Sequence, residues 1–184
     1  MQPTLTTARL LLRPFTLADA PDVQRLAGDA RVALPTAAVP HPYPDGAAEA
    51  WITTHAPAFD AGLQVNCAIT LRATGTLVGA ISLMDIHPGD ARAEVGYWIG
   101  VDHWRQGHCS EALVALIRYA HQGLGLTRIV ARCAASNPGS AGVMEKAGLQ
   151  REGVLRQHTR RRDHQQGRFE DMLLYATVLP GRQA

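Results

Sequence analysis

Residues 94–113 have the sequence EVGYWIGVDHWRQGHCSEAL, which joins a predicted strand to a predicted helix. Val95, Tyr97 and Ile99 alternate with Glu94, Gly96 and Trp98, and this period of two predicts a strand over residues 92–100. From residue 110 the apolar residues recur at helical spacing, and Gly123 ends the predicted helix. The short segment between strand and helix holds two histidines, an arginine, a glycine and a cysteine. The chemistry of this segment decides the function.

The segments on either side predict the fold class. Further strands are predicted at residues 9–13, 65–72, 76–86, 127–134, 149–155 and 171–178. Helices are predicted after Thr16, after Asp45 and from Asn137 to Gly148, and Pro57 is expected to kink or end the second of these. The order β-α-α-β-β-β-α-β-α-β-β predicts an α/β protein with a mixed sheet of about seven strands and helices on both faces.

Composition predicts one globular domain spanning residues 1–184. Of the 184 residues, 46% are hydrophobic and 18% charged, and the net charge of +2 favours neither a nucleic-acid nor a membrane partner. The three cysteines, Cys67, Cys109 and Cys133, are far apart and form no CxxC pair. This pattern is typical of a reducing compartment, so we expect a cytoplasmic protein. An arginine inside the first apolar stretch favours a strand there rather than a signal peptide.

Residues 103–112, HWRQGHCSEA, allow three interpretations. His103, His108 and Cys109 are potential metal ligands, but their spacing matches no familiar zinc site. Cys109 lies at a helix N-terminus, where a thiol is activated, but no histidine partner has a recognisable spacing, which favours a small packed residue. In the third interpretation, Gly107 lets the first-turn amides bind a phosphate. A tight strand–helix turn explains Gly107 equally well.

A second stretch favours the phosphate interpretation. Residues 137–153, NPGSAGVMEKAGLQREG, follow the next strand. They resemble motif B of the GNAT superfamily of N-acetyltransferases, and residues 103–112 resemble its motif A, a glycine-containing turn that opens a helix. The resemblance is closest to the RimJ/RimL-like branch. It is carried by TARLLLRP (7–14), HPYPDGAAEAWI (41–52), residues 94–113, REGVLR (151–156) and EDMLLYATVL (170–179).

The resemblance implies acetyl-CoA as co-substrate, no metal, and direct transfer of the acetyl group to a primary amine in a ternary complex. It implies a mostly antiparallel sheet that splays near residues 99–101, where backbone groups hold the pantetheine arm and polarise the thioester. The donor pyrophosphate would lie on first-turn amides, with added charge from Arg105. The positions implied for donor binding are Ile99, Val101, Arg105, Gln106, Gly107, His108, Cys109, Ser110 and Asn137.

The chain departs from the motifs at four positions. Trp104, Arg105 and Cys109 stand where motif A has Gln or Arg, a glycine, and Gly or Ala. The loop is therefore bulkier than usual, which predicts weaker donor binding. Met144 replaces the tyrosine with which many members of the superfamily protonate the departing thiolate.

For the general base, the sequence favours Glu94, acting through water near the splay. The alternative is a structural ion pair of Glu94 with Arg92 or Arg132. His158 is the second candidate. The glutamate that relatives can place one residue further along is Thr159 here.

For the thiolate partner, the resemblance favours Ser140, which would otherwise serve as a helix cap or first-turn residue. Asn137 either binds the pantetheine arm or caps the helix. Asp171 has the register of a tail aspartate that either contacts substrate or forms an ion pair.

The resemblance implies an acceptor that is either a protein N-terminal α-amine, of the ribosomal-protein type, or a small-molecule amine, and it leaves a homodimer open. Two rival functions remain. The basic loop at residues 156–168 would suit an RNA- or ribosome-binding module. A catalytically weak CoA-binding protein would also fit the altered motif A and Met144.

Overall fold

The chain forms an eight-stranded sheet in the computed structural model, which describes residues 2–36, 38–160 and 167–179. The strands are β1 (Leu5–Thr6), β2 (Leu10–Arg13), β3 (Val65–Leu71), β4 (Leu77–His87), β5 (Arg92–Ile99), β6 (Arg128–Ala134), β7 (Gln150–Arg160) and β8 (Phe169–Val178). The helices are α1 (Ala20–Ala27), α2 (Ala30–Ala33), α3 (Ala47–Thr53), α4 (His55–Asp60), α5 (His108–Gln122) and α6 (Pro138–Lys146).

The sheet has the order β1-β2-β3-β4-β5-β6-β8-β7, and only β5 and β6 pair in parallel. Their ladder runs from Arg92 opposite Arg128 to Val95 opposite Ala131, although both strands continue beyond it. The sheet therefore splays from residue 96 onwards. The predicted opening at residues 99–101 lies slightly further along the chain. The mixed, mostly antiparallel sheet is confirmed.

Two hydrophobic cores cover the two faces of the sheet, as predicted. On one face, Val23 and Leu26 of α1 and Ile52 of α3 pack with Trp98 of β5. On the other face, the apolar stripe of α5 and the buried residues of α6 pack against the central strands. Alternation along β5 thus sends Trp98 to one core and Ile99 to the other.

Four details differ from the predicted elements. The two-residue strand β1 adds an eighth strand, and α2 is a short helix that its four residues did not signal. The second predicted helix divides at Thr54, whose hydroxyl bonds the Trp51 carbonyl at 2.7 Å. Pro57, which has no amide hydrogen, lies inside the first turn of α4. Strand β7 extends to Arg160 and includes part of the basic stretch, of which residues 161–166 lie outside the described residues. No described helix is long and apolar enough to span a membrane.

A buried histidine makes the stability of this fold depend on pH. The His55 ring lies edge-on to Phe15 and Trp51, is only 4% exposed, and has no hydrogen-bond partner among the described residues at either nitrogen. Burial lowers the pKa of His55 from 6.5 to about 4. The neutral ring is therefore the form that the folded chain keeps.

We expect the free energy of unfolding to fall as the pH drops from about 6.5 to about 4, because only the unfolded chain takes up the His55 proton in that range. The loss is at most about 3 kcal/mol. Urea titrations at several pH values measure it. His55→Leu replaces the ring with an apolar side chain that does not titrate, so it should flatten the dependence of the unfolding free energy on pH. An unchanged dependence in this variant would assign the acid sensitivity to other groups.

Candidate active site

A cavity of about 860 Å³ lies where β5 and β6 separate. Its walls come from the end of β5, the loop and first turn of α5, the first turns of α6, and residues 30–36. It contains most of the predicted donor-binding residues, namely Ile99, Arg105, Gly107, His108, Cys109, Ser110 and Asn137, together with Ser140. The cavity therefore brings motifs A and B together, although they are separated by a strand in the sequence.

Gly107 forms the turn that opens α5. Its φ of 79° lies in the left-handed region, where glycine is strongly preferred. Glu111 is the first residue whose amide bonds inside the helix, to the Gly107 carbonyl at 3.1 Å. The amides of His108, Cys109 and Ser110 are thus the free donors of the first turn. Together with the helix dipole they form an anion-binding surface.

Arg9 fixes this turn from β2's side of the sheet. Its guanidinium donates to Glu111 at 2.7 Å and to the Gln106 carbonyl at 2.9 Å. The same Glu111 carboxylate accepts from the Thr7 hydroxyl at 2.6 Å. A Cβ placed on Gly107 would lie 3.3 Å from Arg9 Nη2. Residues 7–9 therefore hold the Gly107 turn in place, a role that the sequence did not reveal.

Two of the predicted donor-binding positions, Val101 and Gln106, lie outside the cavity lining, and the carbonyl of a third, Ile99, already has a hydrogen-bond partner. Trp104 donates its indole N–H to the Ile99 carbonyl at 2.7 Å, so that carbonyl already has a partner. Val101 packs against the core of α1 and α3 and does not line the cavity. The Gln106 side chain donates to the Asp102 carbonyl at 3.0 Å, outside the cavity lining. The Trp104 side chain therefore stabilises the end of β5 by bonding the carbonyl of its last residue.

Ser140 lies at the centre of a hydrogen-bonded group in the cavity wall. Its hydroxyl is 2.9 Å from the Tyr97 hydroxyl, which also donates to the Ser140 carbonyl at 3.1 Å. Its amide donates to Asn137 Oδ1 at 3.1 Å, so Asn137 is the N-cap of α6. Burial raises the pKa of Tyr97, which keeps its hydroxyl protonated. Sequence reasoning treated Tyr97 only as a strand residue.

Cys109 is buried in the first turn of α5. Burial raises the pKa of its thiol, and this outweighs the helix N-terminus that would lower it. A thiol in that state is a poor nucleophile, so the placement favours the packed-residue interpretation. Met144 is also buried, at 1% exposure, and does not line the cavity.

Glu94 is bound by Arg132, with oxygen–nitrogen distances of 3.0 and 2.6 Å. Glu94 lies outside the cavity lining, on the face of β5 opposite Tyr97. The His158 ring is 3.3 Å from the same guanidinium and also lies outside the lining. This placement corresponds to the structural ion pair that was the alternative interpretation of Glu94.

Asp171 holds β7 in place rather than facing the cavity. Its carboxylate accepts the Gln157 amide at 2.8 Å, and its carbonyl accepts the Ala135 amide at 2.9 Å. The irregular register of β7 between Leu155 and Thr159 surrounds this contact. Neither of the two predicted roles, substrate contact or ion pair, describes these bonds.

Glu170, the neighbour of Asp171, is the one cavity-lining carboxylate among the described residues. Its Oε2 accepts the Ser136 hydroxyl at 2.7 Å. In the β7–β8 ladder Glu170 is directly opposite Thr159. No local pattern in the sequence points to Glu170, because its position depends on the strand register and on the opening beside β6.

Comparisons with known proteins agree with this geometry. The family model for the acetyltransferase (GNAT) domain matches residues 9–150. The uncharacterized N-acetyltransferase YoaA of Bacillus subtilis (strain 168) is 35% identical over 129 residues, 70% of this chain and 71% of that protein. The ribosomal-protein-serine acetyltransferase of Escherichia coli (strain K12) is 38% identical over 103 residues, which is 56% of this chain and 55% of that protein.

The fold is also that of a solved acetyltransferase. RimL, a ribosomal L7/L12 alpha-N-protein acetyltransferase in complex with coenzyme A, superposes with a TM-score of 0.84 at 22% identity, over 96% of this chain and 98% of that one. At this identity the likeness concerns the fold alone. The family model, by contrast, covers well over half of the chain. The protein belongs to the GNAT family of acetyltransferases and is an N-acetyltransferase.

Proposed function

We propose that the protein transfers the acetyl group of acetyl-CoA directly to a primary amine in a ternary complex. The observation that carries this proposal is the cavity that joins the Gly107 turn, the end of β5 beyond its ladder with β6, and Ser140. The solved relative bound to coenzyme A supports the choice of donor.

The donor site fits a pyrophosphate. Gly107 carries no side chain that would cover the amides of His108, Cys109 and Ser110, and Arg105 and Lys146 add positive charge to the cavity wall. The pantetheine arm would lie along the unpaired edges beyond Val95 and Ala131, where backbone groups are free of the ladder. Since the Ile99 carbonyl is bonded to Trp104, we propose that the arm uses other backbone groups of this edge.

The chemistry requires proximity, stabilisation of an oxyanion, and stabilisation of the departing thiolate. We assign the last role to Ser140, whose hydroxyl faces the cavity and is oriented by Tyr97. The Tyr97 hydroxyl has one proton, which it donates either to the Ser140 carbonyl or to Ser140 Oγ. In the second arrangement the serine proton is directed to the sulfur. Tyr97 is then a positioning residue. It supplies a phenol to a site in which Met144 replaces the tyrosine of many members of the superfamily.

The charges of the cavity bear on the acceptor. Glu170 is the one carboxylate among the described residues that line the cavity, so the cavity has too few acidic groups to favour a polyamine with several positive charges. We therefore propose an amine with a single positive charge: a peptide N-terminus or a small monoamine. The name of the Escherichia coli relative supports a peptide that begins with serine. The basic-loop alternative depends in part on residues 161–166, which lie outside the described ranges, and stays a prediction.

Amine-dependent release of free CoA tests the proposal. The panel would contain a synthetic peptide with N-terminal serine, the same peptide with a blocked N-terminus, small monoamines and spermidine. We expect release with the free peptide or a monoamine and none with the blocked peptide. Release with spermidine alone would contradict the acceptor assignment. Tight CoA binding without release for any amine would favour the CoA-binding alternative instead.

A further inference from the structure

We propose that His103 and His108 bind the pyrophosphate of acetyl-CoA as a pair that takes up a proton together with the donor, an inference that rests on the proposed function. Both side chains line the cavity. His108 is also the first residue of α5, whose free amides form the anion-binding surface. The centroids of the two rings are 6.4 Å apart. The pair therefore lies beside the place where the negative charge of the donor is expected.

The surroundings of His108 favour a neutral ring before the donor binds. The residue is 6% exposed, and its Nδ1 is buried without a hydrogen-bond partner among the described residues. Burial lowers the pKa of His108, and the charges of Arg9 and His103 lower it further, against the opposing charge of Glu111. The ring is thus uncharged near neutral pH in the absence of the donor. A bound anion reverses this balance, because it favours the charged form of a nearby imidazole.

Five cationic side chains lie near the pair. Arg9 and Arg72 line a second cavity, of about 490 Å³, which His108 also lines. Arg31, Arg105 and Lys146 line the main cavity. Guanidinium and ammonium groups are already charged near neutral pH, so they attract the pyrophosphate without taking up a proton. A proton that enters with the donor therefore goes to another group.

The remaining titratable groups near the pair are less suited to accept this proton. Burial raises the pKa of Tyr97 and of Cys109, so both are already protonated. Burial also raises the pKa of Glu111, but its hydrogen bonds outweigh this effect and hold it below the usual value. The other carboxylates are Asp102, which precedes His103, and Glu170 in the cavity lining. Histidine is the side-chain type that ordinarily changes its charge between pH 5 and 8, which favours the pair as the acceptor.

The expected effect follows from the charge of the donor. At an effective dielectric constant of about 20, one negative charge about 6 Å from an imidazole favours its charged form about 100-fold. The two rings repel each other when both are charged, so the pair takes up about one proton rather than two. The protonated pair binds the donor more tightly, and the affinity for acetyl-CoA therefore rises as the pH falls. Attack by the acceptor has the opposite dependence, because it requires a neutral amine.

Calorimetry measures the proton directly. Acetyl-CoA is titrated into the wild-type protein in two buffers of different ionisation enthalpy, and the difference in binding heat gives the number of protons taken up. At pH 7 we expect an uptake of roughly half a proton or more, and we expect the dissociation constant to rise about tenfold from pH 6 to pH 8. The 3′-phosphate of the donor, whose second pKa is near 6, would release protons in a basic site. An uptake therefore belongs to the protein.

Variants assign the uptake to the pair. His103→Gln should lose about half of it, and the double variant with His108→Gln should lose nearly all of it. The matched control is His87→Gln, which should keep the wild-type uptake. His87 lies opposite Arg92 at the other end of β5 and lines neither cavity.

Two outcomes would overturn the proposal. One is a wild-type protein that binds acetyl-CoA without taking up protons, and the other is an uptake that is unchanged in folded His103→Gln. The second outcome decides even where the double variant does not fold. Both leave the proposed function standing, because amine-dependent release of CoA is measured separately on the wild type. Conversely, proton uptake without release of CoA for any amine would reject the proposed function and keep the pair as a donor-binding site.

Discussion

Gly107→Glu should abolish measurable acetyl-CoA binding, with a loss of more than about 100-fold in affinity. Two causes act together. A non-glycine residue at a φ of 79° is strained by about 1–2 kcal/mol. The new carboxylate would also lie beside Arg9 and over the first-turn amides, where it would compete with the pyrophosphate for the same donors. Calorimetric titration of acetyl-CoA into wild type and variant measures the loss.

Two further variants separate these causes. Gly107→Ala introduces the strain without the charge and should weaken binding much less. Gly89→Glu adds the same charge in an exposed turn where nothing lies near the new Cβ, and it should bind acetyl-CoA as the wild type does. If a folded Gly107→Glu protein kept wild-type affinity, the turn before α5 would not be the phosphate site.

The second large effect is expected at Ser140 and Tyr97. Ser140→Ala removes the proposed hydrogen bond to the departing thiolate and should lower kcat about 100-fold. It leaves the Asn137 cap intact, because that cap bonds the backbone amide of residue 140. The KM for acetyl-CoA should change little, since the interaction is made mainly in the transition state.

Tyr97→Phe should lower kcat about tenfold, since it removes only the group that orients the serine. In the double variant the two losses should not add, because Tyr97 acts through Ser140. Additive losses would mean that Tyr97 acts independently of the serine. Unchanged kcat in Ser140→Ala would remove this residue from the mechanism.

The regular parts of this fold could be predicted from local patterns. The alternation along β5 and the apolar stripe of α5 each follow one period over many residues, and both elements formed within two residues of the predicted bounds. The Gly107 turn was predictable for the same reason, since a glycine before a helix has few roles. Strand β1 and helix α2 were missed because elements of two and four residues are too short to show a period.

The surroundings of the candidate side chains were less predictable, because they depend on neighbours far away in the sequence. Glu94 lies on the strand next to the splay, but Arg132, 38 residues further along, binds it on the other face. Glu170 reaches the cavity through the register of β7 with β8, which includes an irregularity before Thr159. Tyr97 meets Ser140 across the opening between β5 and β6. No local pattern reports such contacts.

Direct transfer to an amine is the central claim, and mass spectrometry tests it most directly. The wild-type protein would be mixed with acetyl-CoA that carries an isotopic label in its acetyl group and with the peptide that has an N-terminal serine. The masses of the protein and of the peptide would be measured within one turnover. We predict one labelled acetyl group on the peptide amine and none on the protein. A labelled acetyl group that first appears on the protein, above all at Cys109, would contradict direct transfer. If neither the peptide nor any amine of the panel acquired the label, the proposed function itself would be contradicted.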